Sequence, residues 1–144
     1  MLTIDESTVI EKPRSEVFAF FSDPDNVVVY SSNVVDYEVV SGEATEIGRK
    51  AHLVAKVVGA KVEADDELVE FVDGERYKIV AEKATIPYAI EMSFADEGSG
   101  TKVSWHQESE SLKGVFKFAD NIVLKMYARD VRSNLEKAKT LLEA

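Results

Sequence analysis

The sequence predicts an α+β fold: a seven-stranded antiparallel curved sheet closing around a long C-terminal helix, with two short helices after the first strand. Three observations carry this. Residues 114–144 contain no proline and no glycine after Gly114, and they are rich in Ala, Leu, Lys, Glu and Met. They read as one helix of roughly 40 Å at 1.5 Å per residue, longer than the cover a small sheet needs. Before it, six strand-like runs follow one another, separated by turn residues. Between the first strand and those six, Pro13 and Pro24 punctuate two short apolar segments. A sheet curled around one helix buries the apolar faces of both and encloses an internal pocket.

Length and composition suit a single domain spanning 1–144. With 45% hydrophobic and 31% charged residues, the chain has the balance of a soluble globular protein. A net charge of −10 repels phosphate backbones and anionic lipid surfaces, which argues against nucleic-acid and membrane partners. There is no cysteine, hence no disulfide, thiol nucleophile or thiolate metal site. The N-terminus lacks the basic and apolar regions of a signal peptide, and no apolar run is long enough to span a bilayer. A cytoplasmic protein is expected; its oligomeric state is not legible.

Residues 2–11 form the first predicted strand, with Leu2, Ile4, Thr8 and Ile10 on one face. A helix over 14–22 carries Val17, Phe18, Phe20 and Phe21, so it is mostly covered. Asp23 is placed to cap a second short helix with Pro24 at its first position, running to Tyr30. The strands are then 34–40, 48–57, 62–72, 75–83, 88–95 and 101–110, with Asp73-Gly74 and the 97–100 glycine-rich segment as hairpin turns. Alternation points Arg49, Ala51, Leu53, Ala55 and Val57 inward, together with Tyr88, Ile90, Met92 and Phe94, and with Thr101, Val103, Trp105, Gln107 and Ser109. It leaves His52, His106 and Glu108 outside. In 62–72, Val62, Ala64 and Leu68 disagree in phase with Val69 and Phe71, and a bulge near 65–67 reconciles them. On the helix, Val115, Phe116, Ala119, Ile122, Val123, Met126 and Tyr127 share one arc; Leu124, Ala128, Val131, Leu135, Ala138 and Leu142 share another, offset by one residue. Three explanations stay open: a cavity-lining first half, a π-bulge near 124–128, or one wide core face.

The run Val17-Phe18-Ala19-Phe20-Phe21-Ser22-Asp23-Pro24-Asp25-Asn26 with Tyr30 after it, the pair Ile47-Gly48, the turn Gly100-Thr101-Lys102-Val103 and the terminal stretch 135–143 resemble the START-like, or helix-grip, superfamily (SRPBCC, Bet v 1-like). Within it the chain is most similar to the polyketide cyclase/dehydrase-like branch. The likeness covers essentially the whole chain and implies the same sheet gripping the same helix. The aromatic after the Asp-Pro segment is commonly Trp in that branch; here it is Tyr30, which brings a phenol hydroxyl to the expected entrance.

Candidate chemistry is thin. The two histidines face outward and no His-x-x-x-His pair exists, so no metal and no cofactor are called for. Asp65-Asp66-Glu67 reads as a solvated edge, since alternation sends neighbours to opposite faces. Ser104 and His106 share a parity but outside, no Gly-x-Ser-x-Gly is present, and Gly98-Ser99-Gly100 opens a strand rather than a phosphate-binding helix. For acid–base work the inward candidates are Arg49, Tyr30, Tyr37, Tyr88, Gln107 and, from the acidic run, Asp66. A plainer reading puts Arg49 at the rim, paired with an acidic neighbour.

Two functions remain. One is a binding or carrier domain for a small hydrophobic or aromatic molecule. The other, implied by the resemblance, is a cyclase, aromatase or dehydratase of polyketide type. A protein-interaction module of the chaperone-activator kind is a weaker third. A pocket with Arg49 and a tyrosine hydroxyl within hydrogen-bond reach favours the enzyme; a purely apolar one favours the carrier. The expected lining is Tyr30 at the mouth, Arg49, Leu53, Tyr77, Tyr88, Met92, Phe94, Trp105 and Gln107 from the sheet, and Phe118 or Ala119, Ile122, Val123 and Met126 from the first half of the helix.

Overall fold

A computed structural model describes residues 2–57, 59–110 and 120–144. Its elements are β1 (Leu2–Ile10), α1 (Arg14–Ser22), a 3₁₀ turn (Pro24–Asn26), α2 (Val27–Tyr30), β2 (Val34–Ser41), β3 (Lys50–Val57), β4 (Ala60–Val72), β5 (Arg76–Ala84), β6 (Tyr88–Glu97), β7 (Gly100–Ser109) and α3 (Asp120–Glu143). The seven strands form one antiparallel sheet in the order β1-β7-β6-β5-β4-β3-β2. Sequential hairpins build it from β2 to β7, and β1 returns beside β7, with Leu2 opposite Ser109 and Ile10 opposite Thr101.

Local chemistry accounts for the joints. Pro13 precedes the first turn of α1. Asp23 caps the next turn as expected, its carboxylate accepting from Asp25 N at 2.9 Å with Pro24 following. Gly74 takes φ +77° in the β4–β5 hairpin, a conformation that other residues adopt only with strain. Gly100 serves a different purpose: a Cβ there would stand 2.5 Å from Ile10 O, so β7 can start beside the end of β1 only without a side chain.

Phe18, Phe21, Tyr77 and Phe94 make an aromatic plug under α1. Phe18 packs edge-on to Phe94 at 5.1 Å and to Phe71 at 5.4 Å, and Phe21 lies 5.8 Å from Phe94. From the other side α3 lies along β1. Arg132 donates to Glu6 at 2.7 Å, Glu143 accepts from Glu11 N at 2.9 Å, and Lys139 Nζ reaches the Val9 carbonyl.

One open question closes and one expectation changes. First, α3 is regular α-helix across all its described residues, with no π-turn. Its buried stripe is Val123, Val131, Asn134, Leu135 and Ala138, at the three- and four-residue spacings of one helix face. Val123 of the first arc and Val131, Leu135 and Ala138 of the second are buried together, with the polar Asn134 among them, as one core face. Second, the bulge in β4 that flips its phase lies between Leu68 and Glu70, not at 65–67. A separate irregularity at Asp65/Glu67 places the extra residue on β5. Asp66 therefore keeps the inward parity of Val62, Ala64 and Leu68 and is buried, 3% exposed, rather than solvated. The predicted helix start at Gly114, together with Val115, Phe116, Phe118 and Ala119, lies outside the described residues.

Candidate functional site

Between the concave face of the sheet and α3 lies a cavity of about 100 Å³. Strand alternation supplies Leu53, Ala55 and Val57 from β3, Val62, Ala64 and Asp66 from β4, Tyr77 and Ile79 from β5, Tyr88, Ile90 and Met92 from β6, and Trp105 and Ser109 from β7. The helix contributes Tyr127, Asp130, Val131 and Asn134, and Tyr30, Ser31 and Asn33 come from α2 and the turn after it. Exposed Glu63 and half-exposed Asp130 stand at its rim. All five tyrosines of the chain and its single tryptophan line this space. The described phenylalanines stay in the plug and around it.

Of the residues expected to line a pocket, the structure brings Tyr30, Leu53, Tyr77, Tyr88, Met92 and Trp105 together around this cavity. The others lie elsewhere. Tyr30 is 6% exposed, part of the wall against Phe21 rather than a residue of the mouth. Phe94 points inward but is absorbed by the aromatic plug. Val123 is fully buried beside Val57, Val62 and Ile86 in a second apolar cluster, Ile122 is 48% exposed, and neither it nor Met126 lines the cavity. Ala119 lies outside the described residues. The helical wall thus sits one to two turns further along than expected. Periodicity gives the angle of the buried face but not the height at which the helix crosses the sheet.

Gln107 is also inward and fully buried, but its amide is already occupied. Its Oε1 accepts from Trp105 Nε1 at 3.1 Å, and its Nε2 donates to the Tyr127 hydroxyl at 3.1 Å and to Ser109 Oγ at 3.3 Å. This network ties β7 to α3 and holds the Trp105 ring against the cavity. Asn134, oriented so that its amide nitrogen donates, reaches the carbonyls of Asp130 at 3.2 Å and Tyr30 at 3.3 Å, fixing α3 to α2.

Arg49 is not at the rim. It precedes β3, held inward by Gly48 N to Leu68 O at 2.8 Å and Leu68 N to Arg49 O at 2.9 Å, and is 3% exposed. Its Nη1 donates to Ala44 O at 2.9 Å and its Nη2 to the Tyr37 hydroxyl at 2.8 Å. Tyr37 donates in turn to Asp66 Oδ1 at 3.1 Å. Arg49 and Tyr37 therefore meet the reach expected of an acid–base pair, but only Tyr37 and Asp66 face the main cavity. Arg49 borders a small side cavity of about 20 Å³, with its Nε buried and unpartnered among the described residues.

Burial sets the titration of these groups. It pushes the Asp66 carboxyl up to about 6, against the Tyr37 hydrogen bond and the Arg49 charge, which pull it down. It pushes Tyr30 up to about 12 and raises Tyr37 and Tyr77 as well, so the wall carries neutral hydroxyls at physiological pH. Sequence reasoning left Tyr37, Asp66 and Tyr127 out of the lining and missed Asp130 and Asn134. The parity shared by Asp66 with Val62 and Ala64 was the available signal, as was the four-residue step from Val123 to Tyr127 to Val131.

The histidines lie on the convex face as expected, His52 Nδ1 at 2.7 Å from Asp65 and His106 Nδ1 at 2.5 Å from Asp5. Among the described residues no group of three His, Cys, Asp or Glu side chains is placed to hold a metal ion, and no helix is long and apolar enough to cross a membrane.

A family model described as polyketide cyclase / dehydrase and lipid transport matches residues 1–143. No curated protein matches the chain. Among solved structures, a protein of Thermus thermophilus is similar at 22% identity with a TM-score of 0.83, covering 98% of this chain and 97% of that one. A START superfamily protein of Mycobacterium smegmatis aligns at 7% identity with a TM-score of 0.80, over 98% and 97% of the two chains. The major latex-like protein 151 of Panax ginseng aligns at 14% identity with a TM-score of 0.79, over 99% and 98%. At such identities the likeness is one of fold.

Proposed function

The chain belongs to the polyketide cyclase/dehydrase and lipid transport family, and from that membership and the geometry of its cavity we propose that it binds a small hydrophobic or aromatic molecule inside the sheet–helix grip. The observation that carries this reading is the cavity itself. Its walls are apolar and aromatic, with a few polar groups at defined points, the usual character of a small-molecule site. On this reading the protein works in the cytoplasm.

Trp105 reports on the site without a label. It is 8% exposed, its Nε1 is bonded to Gln107, and its ring lines the cavity. Titration with toluene, an uncharged ligand of one ring, is expected to change its emission saturably. Ala64→Leu, which fills the cavity from the β4 wall, is expected to abolish the change. A linear response without saturation, identical in the two proteins, overturns the proposal.

One observation favours a second reading, acid–base chemistry of the cyclase, aromatase or dehydratase type. The Arg49–Tyr37–Asp66 chain holds a carboxyl with a pKa of about 6 against the cavity wall. Such a group exchanges a proton near neutral pH, with Tyr37 holding it in place. Native mass spectrometry of protein from its own host separates the two. A co-purifying molecule released unchanged supports the carrier, whereas one that loses water on incubation with fresh protein, but not with Tyr37→Phe, supports the enzyme.

A further inference from the structure

The charge on the cavity wall is lopsided. Three of its donors are committed within the protein: the Tyr37 hydroxyl to Asp66 Oδ1, the Tyr77 hydroxyl to Phe21 O at 3.0 Å, and Trp105 Nε1 to Gln107. The charged groups that line it among the described residues are all acceptors. Asn33 Oδ1 is buried on the cavity wall and has no partner among the described residues. Of the Asp66 carboxylate, only Oδ1 takes a hydrogen bond from the described residues. Glu63 and Asp130 add carboxylates at the rim. No lysine, arginine or histidine lines the cavity among the described residues, because Arg49 stands behind Tyr37.

The rest of the wall matches this bias. Five tyrosines and one tryptophan line the space, and the negative potential over an aromatic face attracts a cation, as Arg49 over the Tyr37 ring at 5.8 Å shows. A buried acceptor without a donor is costly, so a ligand that supplies N–H groups there gains more than one that supplies another acceptor. The volume limits the body of that ligand. An apolar cavity of roughly 150 Å³ holds one benzene ring, so about 100 Å³ limits the buried body of the ligand to a single ring at most, with the remainder in the open rim.

We propose that the ligand is a small aromatic or apolar amine, bound as its cation with the ammonium directed at the Asn33 and Asp66 acceptors and the ring against the tyrosine faces. This deepens the reading of the cavity as a binding site and rests on it. The ion pair forms in a partly dry site, where opposite charges attract more strongly than in bulk water. An anionic head meets the same carboxylates as repulsion, so it is selected against.

Calorimetric titration at pH 7.5 with three ligands of similar shape tests the inference: 2-phenylethylamine, 2-phenylethanol and 3-phenylpropionate. The amine is expected to bind on the order of tenfold more tightly than the carboxylate, the equivalent of about 1.4 kcal/mol. Asp66→Asn, which keeps the acceptor for Tyr37, is expected to weaken the amine severalfold and leave the alcohol unchanged. The wild-type series stands alone if that variant folds poorly. A carboxylate that binds as well as the amine overturns the inference and redirects attention to Arg49. An amine affinity indifferent to Asp66→Asn in a folded variant overturns it too. Should none of the three bind while toluene still perturbs Trp105, the amine assignment falls and the binding site stands. Should toluene also fail, the binding site falls with it.

Discussion

Asp66 makes a measurable demand on the fold. Its side chain is 3% exposed on an inward position of β4, and burial raises its pKa from 3.8 to about 6. Tyr37 and Arg49 oppose that rise and Asp65 adds to it. A carboxyl whose pKa is higher in the folded than in the unfolded chain favours folding while it is protonated. That contribution is fully present below about pH 4 and is lost as the pH climbs through about 6. At 1.36 kcal/mol per pKa unit, ionising Asp66 in place costs the native state about 3 kcal/mol at pH 8. Asp66→Asn keeps a side-chain oxygen for Tyr37 and cannot ionise. Urea denaturation of both proteins from pH 4.5 to 8 isolates the effect, because every other titrating group, His52 and His106 included, is common to both and cancels. The asparagine variant is expected to gain on the wild type steadily across this window, from well under the full amount at pH 4.5 to about 3 kcal/mol at pH 8. A stability difference that does not vary with pH, or one that shrinks as the pH rises, would refute the argument and mean that Arg49 and Tyr37 together match or outweigh burial.

Other consequences follow from packing and from the outer face. Leu135 is 1% exposed in the middle of the α3 stripe, so Leu135→Ala is expected to cost about 2–5 kcal/mol in denaturant unfolding. A loss below about 0.5 kcal/mol would show that the buried face of α3 has been misassigned. Gly100→Ala brings a methyl to 2.5 Å from the Ile10 carbonyl and is expected to cost about 1–3 kcal/mol through strain at the β1–β7 junction. An unchanged melting temperature would contradict the close approach. Both histidines pair with aspartates on the convex face, away from any metal-like cluster among the described residues. Exhaustive dialysis against a strong chelator is therefore expected to leave the melting temperature unchanged, and a drop reversed by one particular cation would overturn this.

What the sequence determined by itself was whatever depends on near neighbours along the chain. Alternation in β3 and β7 placed Ala51, Ala55, Val103, Trp105 and Gln107 inward and the histidines outward, because pleating acts on successive residues whatever lies opposite. The Asp23-Pro24 cap, the hairpin turns and the order of strands and helices were legible for the same reason, and together they led to the right architecture. Tertiary structure decided the rest. The phase of β4 turns on a bulge that is defined only by its partner β5, and with it the sense of Phe71 relative to Asp66. Whether Arg49 sits at a rim or behind Tyr37 depends on the pairing of Gly48 and Arg49 with Leu68, a contact across the sheet. The helical wall of the cavity is Tyr127, Asp130, Val131 and Asn134 rather than Ile122 and Met126, because periodicity fixes which side of a helix is buried and says nothing about where along its length it meets the sheet. That height is set by contacts far apart in sequence, such as Arg132 with Glu6 and Glu143 with Glu11, whose residues carry no mark of one another in the linear chain.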